Sequence, residues 1–391
     1  MTAEDLLTRT LREVTEDIDY PTTPLADVQA RAGAVRSRSR RTAMLAAAAA
    51  VALVAGSTAL WVSRSPDSSP SPSHELSSGP TTSPTTVPLS SFPQGRPPGI
   101  DYLVDDTYVE MGGGRIASPT FAGATTAALG RGGILVATPR TGTQVSDLWL
   151  VSGNHPQRLG CGSARFAITP DRVETVYWLA SSCGRRDTGG RLYSGVNNTM
   201  GNAGPGHLTT PPGHVVQPVG ILAQGTVVND RSGSTTTPRI LAPGTSIALR
   251  ALGSAAGCDE NHDVVSGQLA TDGGTGAVVS AQTGQVIWRA PGWRLGQFST
   301  DGRYVVAQPA SGSGRWAILD ASQGRPVTMV STAGRFSVSQ VAWDVDDTVL
   351  AVASTGRREA VLRFDRQGNI YRVTPARAPI PGGAYRLATR P

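Results

Sequence analysis

The chain has 391 residues and a formal net charge of +6, and all 35 of its basic side chains are arginine. The absence of lysine reflects a GC-rich genome more readily than a recognition requirement, so arginine content alone specifies no anionic partner. Three cysteines, with no Cys-x-x-Cys and no Cys/His pair at zinc-ligand spacing, exclude a structural zinc module.

Residues 1–41 begin with a helix signal. Thr2 and Asp5 resemble a capping box, and acids fill the first turn. Leu7, Leu11, Val14 and Ile18 fall on one face, and Pro21 ends the run. Leu25, Val28, Ala32 and Val35 form a shorter second patch. A tail of 41 residues cannot bury a core of its own. Its apolar face fits two readings: a docking surface for a cytoplasmic protein partner, or a marginal helix lying on a membrane. The tail has no cysteine or histidine, which excludes an anti-sigma domain of the zinc type but not a zinc-free contact of that kind.

Residues 42–62 are 21 consecutive residues without a charge, nine of them alanine. As a helix this run is about 31 Å long, against a hydrocarbon core of about 30 Å. Arg31, Arg36, Arg38, Arg40 and Arg41 precede it with no acid among them. By the positive-inside rule they keep the tail in the cytoplasm and place the rest outside the cell. A buried soluble helix would not explain the one-sided arginines. A cleavable signal is the other alternative: small residues over 55–59 permit cleavage, but its basic leader would be about 41 residues, far beyond the usual length. In both export readings the C-terminal region is extracellular, where nucleic acid is no partner.

In residues 63–98, 24 of 36 positions are Ser, Pro or Thr. Such a composition cannot bury enough apolar area to fold and predicts a disordered, solvated stalk, reaching about 110 Å at about 3.1 Å per residue.

From residue 99 to 391 the pattern changes to short apolar runs broken by Gly, Asp and Pro, with no sustained helical period. The region carries 26 Arg against 20 Asp plus Glu, an excess that suits anionic wall polymers or lipid head groups and equally an ordinary solvated surface. Hairpin-type turns fall near Gly130, Asp171, Gly225, the loop 258–263, Gly302 and Asp346, at spacings of 41, 54, about 36, about 41 and 44. After each comes a strand, a tight turn and another strand, as in AVVSAQTGQVIW, WAILDASQGRPVTMV and VLRFDRQGNIYRVT. Four strands per unit of about 40–45 residues is the signature of a β-propeller blade. Six units are complete. YLVDDTYVEMGGGRIA reads as the last two strands of a further unit, and AYRLAT near the C-terminus can supply a missing strand. The expected fold is all-β: an extracytoplasmic β-propeller over 99–391, closed by strands from both ends, preceded by one transmembrane helix. Seven blades are expected, with six as the alternative.

Cys161 and Cys183 are placed symmetrically about the turn at 170–172, with strand-like RFAIT before it and VETVYWLA after it. In an antiparallel hairpin such positions face each other, so an exported domain should bond them and leave Cys258 over.

The run FSTDGRYVVA, then WAILDASQGRPV, then VAWDVDDTVLAVAS and AVLRFDRQGNIYRVT resembles the blades of uncharacterised actinobacterial membrane-anchored propellers with WD-repeat-like or TolB-like repeats. That resemblance implies the fold and the topology, and it brings no activity or catalytic residue with it.

Few motifs point to chemistry. Thr283-Gly284 with Trp288 partly matches the tryptophan-docking repeat of quinoprotein propellers, but it occurs once and Ser280 stands where that repeat has aspartate. A packed tryptophan after an outer-strand turn explains it better, and no cofactor is expected. In the loop 258–263, Asp259, Glu260, His262 and Asp263 are candidate metal ligands, yet a polar blade turn accounts for them equally. Asp344, Asp346 and Asp347 lack the glycine and glutamate of a calcium loop. There is no Gly-x-Ser-x-Gly, no His-Glu-x-x-His and no phosphate loop. His207 and His214 lie in a Pro/Gly-rich insertion that lengthens one unit. The sequence therefore favours a non-enzymatic external propeller that recognises an extracellular ligand or protein, with signalling through the tail as an added role. The alternative is an exported propeller enzyme, a lactonase-like hydrolase or a quinoprotein.

Overall fold

The computed structural model describes residues 87–388, apart from 131–132, 144, 153–154, 170–173, 184–188, 197–207, 243, 312–314, 333–335, 357 and 379–382. The tail face (Leu7, Leu11, Val14, Ile18), the five arginines, the apolar segment 42–62 and most of the stalk lie outside the described residues. Among those described, no helix is long and apolar enough to cross a membrane.

The folded unit is built from antiparallel meanders. The first strands are β1 (Tyr102–Val104), β2 (Thr107–Val109) and β3 (Arg115–Ala117). There follow β4 (Thr126–Gly130), β5 (Gly133–Pro139), β6 (Ser146–Ser152) and β7 (His155–Gly162), then β8 (Ala167–Ile168), β9 (Glu174–Ala180), β10 (Gly190–Val196) and β11 (Leu208–Thr210). These eight form one sheet, in which β4–β7 and β8–β11 are each a meander and meet through the single pair Gly162↔Leu179.

Three four-stranded sheets come next. They are β12 (His214–Leu222) to β15 (Thr245–Ala248) through β13 (Gly225–Ser232) and β14 (Thr235–Ala242); β16 (Leu252–Asp259) to β19 (Val286–Pro291) through β17 (Val264–Leu269) and β18 (Thr275–Ser280); and β20 (Trp293–Phe298) to β23 (Pro326–Ser331) through β21 (Tyr304–Pro309) and β22 (Arg315–Asp320). A fourth holds β24 (Ser337–Trp343), β25 (Val349–Thr355), β26 (Arg358–Phe364) and β27 (Ile370–Arg372). The last strand, β28 (Tyr385–Leu387), returns to pair with β1, giving the order β28-β1-β2-β3. The architecture is a β-propeller.

The chain places β28 beside β1 with Tyr102↔Leu387, Leu103↔Arg386 and Val104↔Tyr385. The N-terminal portion of this sheet differs from the expectation. It contributes three strands, because Asp105 adopts a left-handed backbone (φ 53°) and YLVDDTYV folds back on itself. Asp tolerates that conformation, and the tight Asp105–Asp106 turn is hidden in what reads as one apolar run.

The stalk boundary also moves. Residues 87–98, read from composition as stalk, pack on the β24–β27 sheet. Leu89 is 2% exposed and shares a core cluster with Trp316, Phe336, Trp343 and Phe364, and the Phe92 ring meets Phe336 edge-on at 5.8 Å. Gln94 pairs in parallel with Arg372 and covers the outer edge of β27. Two apolar residues among prolines and serines carry too little signal to betray this, but they suffice once an open strand edge is available.

Neighbouring sheets are sewn together by buried polar side chains. Asn229 on β13 exchanges two 2.8 Å hydrogen bonds with the Ala255 backbone on β16, mimicking a strand partner. Ser266 on β17 donates to Gly296 O at 2.6 Å on β20. Trp288 on β19 donates its indole N–H to Ala321 O at 2.7 Å in the next sheet, and Thr328, in the matching strand of that sheet, donates to Arg366 O one sheet further on. The partial tryptophan motif is thus a latch between sheets. Beneath the indole sits Gly324 at φ 69°, where a Cβ would strike the ring. Gly324→Ala should lower stability by about 1–3 kcal/mol, combining backbone strain with displacement of Trp288. A shift in the urea midpoint measures it, and an unchanged midpoint would remove this latch from the account.

Candidate functional site

The inner strands break their ladders at the middle of the ring. The register shifts between Pro218 and Gly220 in β12, Ala255 and Gly257 in β16, Leu295 and Phe298 in β20, and Val338 and Gln340 in β24. A bulge leaves a residue outside the ladder and re-aims its side chain. Val219, Ala256 and Gln297 are such residues, and all three line a cavity of about 290 Å³. Its wall also takes Thr126 from β4, Arg165 and Phe166 from the approach to β8, Gln340 from β24, and Leu387 and Ala388 from β28 and its end.

The lining is polar without being acidic. Gln340 Oε1 accepts the Leu387 amide at 2.9 Å, tying β24 to the closing strand, and Thr125 donates to Ala137 O at 3.2 Å. The Arg165 guanidinium and the Gln297 amide have no partner among the described residues, so both are available to something in the channel. A second cavity, about 120 Å³, shares Val219 and Gln297 and opens toward the turn 258–261, with Thr169, Ser299 and Thr300 around it. The two cavities are thus neighbours, sharing part of their walls.

Of the candidate metal ligands, Asp259 and Glu260 line this second cavity, and the four do not act together. Asp259 is 7% exposed; its Oδ1 accepts the Asn261 amide at 3.0 Å, and its Oδ2 pairs with His262 Nδ1. Gly302 of the next sheet lies against this pair, where no Cβ would fit. Asp263 turns away at φ 52° and accepts from Gln282 at 2.9 Å, while Glu260 is exposed. Among the described residues no three ligand side chains converge. The loop links β16 to β17, as the turns at Asp301 and Asp346 link β20 to β21 and β24 to β25.

The other acid-rich turn is also divided. Asp344 is fully buried against Arg363, Asp346 pairs with Arg96, and Asp347 lies 3.7 Å from Arg303. His214 pairs with Asp230 at 2.7 Å, and His207 lies outside the described residues.

The sulfurs of Cys161 and Cys183 are bonded, with Cα atoms 5.5 Å apart. The geometry is not the simple hairpin expected from the spacing. β8 intervenes between β7 and β9, the turn 170–172 lies outside the described residues, and Cys183 sits in the bend after β9. Cys258 is free, its thiol 3.7 Å from Ile221 O. Burial, then the charges of Asp259 and Glu260, push this thiol from 9.0 up to about 12. A neutral thiol favours the fold below the ordinary thiol value, and that contribution fades as pH rises from about 9 toward about 12. At pH 8 a thiol reagent should therefore react slowly with the native protein, find one thiol after unfolding without reductant, and three after reduction. Three thiols without reductant would sink the disulfide.

Sequence reasoning missed Gln297, Gln340 and Arg165. A lone amide in a strand, or a lone guanidinium before one, forms no motif, and only the convergence of the inner strands brings these residues together.

No family model matches the chain, and no curated protein matches it. Solved structures resemble it distantly. The β-propeller domain of Cps50 (Swd1) from Myceliophteria thermophila is 11% identical, covering 71% of this chain and 89% of that one, with a TM-score of 0.47. Kluyveromyces lactis Hsv2 is 11% identical over 61% and 73%, TM-score 0.38, and BamB from Moraxella catarrhalis is 13% identical over 63% and 73%, TM-score 0.37. At these values the likeness concerns fold and brings no partner or activity with it.

Proposed function

We propose that this chain is a seven-bladed, non-enzymatic binding propeller displayed outside the cell on a single membrane helix, taking its ligand in the central channel. The observation that carries the reading is the 290 Å³ cavity, whose wall draws on β4, the approach to β8, β12, β16, β20, β24 and the end of β28. The seven-blade count is supported by the eight-stranded sheet, whose two meanders join through one bridging pair. Free amide and guanidinium groups on a concave, polar wall without carboxylates suit recognition of a polar ligand. The apolar segment 42–62 behind its arginines supports the anchor, and the face of Leu7, Leu11, Val14 and Ile18 supports a cytoplasmic partner for the tail.

Ala256→Phe would narrow the channel at a bulge without touching the sheet interior. It should abolish binding of the protein to isolated cell-envelope material while leaving the melting temperature within about 2–4 °C. Equal binding by this variant would refute recognition through the channel. For the anchor, alkaline carbonate should fail to extract the protein from membranes, and external protease should digest the propeller while sparing residues 1–41.

A further inference from the structure

Among the described residues, the wall of the channel cavity of about 290 Å³ holds one charged side chain, Arg165, and no carboxylate. Arg165 stands just before β8 on backbone that is held in place. Its amide donates to Ser163 Oγ at 3.0 Å, and Ser163 is buried, its own amide donating to Trp178 O at 3.2 Å. On the other side Phe166 is buried and packs with Ile168 and Tyr177. Arg165 itself is exposed, and its guanidinium is uncommitted among the described residues.

Two amides join it in the same wall, and one of them has a settled orientation. A backbone N–H only donates, so the atom of Gln340 that meets the Leu387 amide at 2.9 Å is the oxygen. The Gln340 Nε2 group is left with two hydrogens to donate. Gln297 is fixed through its backbone, whose carbonyl accepts the Trp343 indole N–H at 2.8 Å, while its side-chain amide stays free. Phe166, Val219, Val341 and Leu387 supply apolar wall. Asp259 and Glu260 line only the neighbouring cavity, and Asp259 is already paired with His262. The channel therefore offers donors and one permanent positive charge, and no negative charge to balance it.

We infer that the channel selects a ligand presenting one carboxylate, held by the Arg165 guanidinium with Gln340 and Gln297 donating beside it. The inference rests on the channel-binding reading and adds the charge and chemical class of the ligand. A guanidinium does not deprotonate in the physiological range, so a neutral ligand filling the channel would leave its charge unmatched, and a cationic one would be repelled. A carboxylate matches both the charge and the shape, because its two oxygens fit the planar fork of an arginine. A phosphate monoester carries close to two negative charges, of which a single arginine balances one. The apolar wall then takes the uncharged body of the ligand.

The test titrates benzoate into the full-length protein by calorimetry, with benzamide as a neutral counterpart of nearly the same shape. Benzoate should bind at one site, and benzamide should give no signal. Arg165→Gln should weaken benzoate binding about 10- to 100-fold, the usual effect of losing a hydrogen bond to a charged group. Arg165→Lys keeps the charge without the fork and should fall between that variant and the parent. The control Arg289→Gln alters an exposed arginine on β19 outside the cavity and should bind as the parent does. Benzoate binding of equal strength in Arg165→Gln overturns the inference, as does benzamide binding as tightly as benzoate, or no benzoate binding by the parent. If Ala256→Phe loses envelope binding while Arg165→Gln retains it, the channel reading stands and this inference alone fails. If benzoate binding depends on Arg165 but Ala256→Phe still binds the envelope, the carboxylate site stands and envelope recognition through the channel fails.

Discussion

Asp344→Ala should cost about 3–5 kcal/mol, the usual range when one partner of a buried ion pair is removed and the other stays buried. The Asp344 side chain is 0% exposed and that of its partner Arg363 6%. Arg363 also donates to Arg96 O at 3.0 Å and Pro97 O at 2.9 Å, and Asp344 Oδ1 accepts the amides of Gly99 and Val345, both at 2.8 Å. Four backbone groups and two charges thus meet in one closed network, and three of those groups belong to the segment that enters the propeller. Deleting the carboxylate strands the guanidinium and leaves the Gly99 and Val345 amides without an acceptor. The entering segment should loosen as a unit, so limited proteolysis of Asp344→Ala should cut between residues 87 and 100, where the parent resists. The double variant Asp344→Ala/Arg363→Met should recover much of the loss, because it removes the stranded charge. Denaturant midpoints that place Asp344→Ala within 1 kcal/mol of the parent would show that the pair is not structural.

The sequence made the repeat legible because more than one sheet reuses the same local chemistry. Asp320 and Asp365 each accept amides of their own tight turns, Ser322 and Gln323 in one and Gln367 and Asn369 in the other. These turns flank alternating or continuous apolar runs, which is what the eye finds at intervals of about 40–45 residues. Three features stayed hidden for distinct physical reasons. The turn at Asp105 looks like the middle of a strand, because only its left-handed φ of 53° reveals the reversal. Residues 87–98 look like stalk, because their packing depends on one leucine and one phenylalanine finding a distant sheet. The channel was invisible altogether, since it is set by bulges, and a bulge depends on which residue slips from the ladder. Asp259, Glu260, His262 and Asp263 show the converse: five polar residues in a row attract attention, yet Asp259 is taken up by Asn261 and His262 while Asp263 accepts from Gln282.

Deleting residues 382–391 should lower the stability of the entire propeller, with an effect larger than that of the point substitutions above. The deletion removes β28, the strand nearest the channel in its sheet, and with it three ladder pairs to β1. It also removes the buried side chains of Ala384, Tyr385, Leu387 and Ala388, none more than 7% exposed. Burying a leucine-sized side chain is worth about 1.5–3 kcal/mol, so the apolar loss alone is a large share of a typical 5–15 kcal/mol of stability. Further bonds disappear, among them Tyr385 Oη to Pro375 O at 2.6 Å, the Leu387 amide to Gln340 at 2.9 Å, the Ala388 amide to Asp101 O at 3.1 Å and the Ala384 amide to Glu359 Oε2 at 2.6 Å. The damage spreads because Tyr385 and Leu387 pack on the β24–β27 sheet while Ala388 packs toward β4. Opening the ring exposes the edge of β1 and unsupports both neighbours at once. A surface tail, by contrast, is removed with little consequence. Thermal melting should therefore show a broad transition at least about 10 °C lower, and Tyr385→Phe, which loses one hydrogen bond, should shift it by only a few degrees. If the truncated protein melts like the parent, the two ends do not close the ring, and the count of seven blades falls with them.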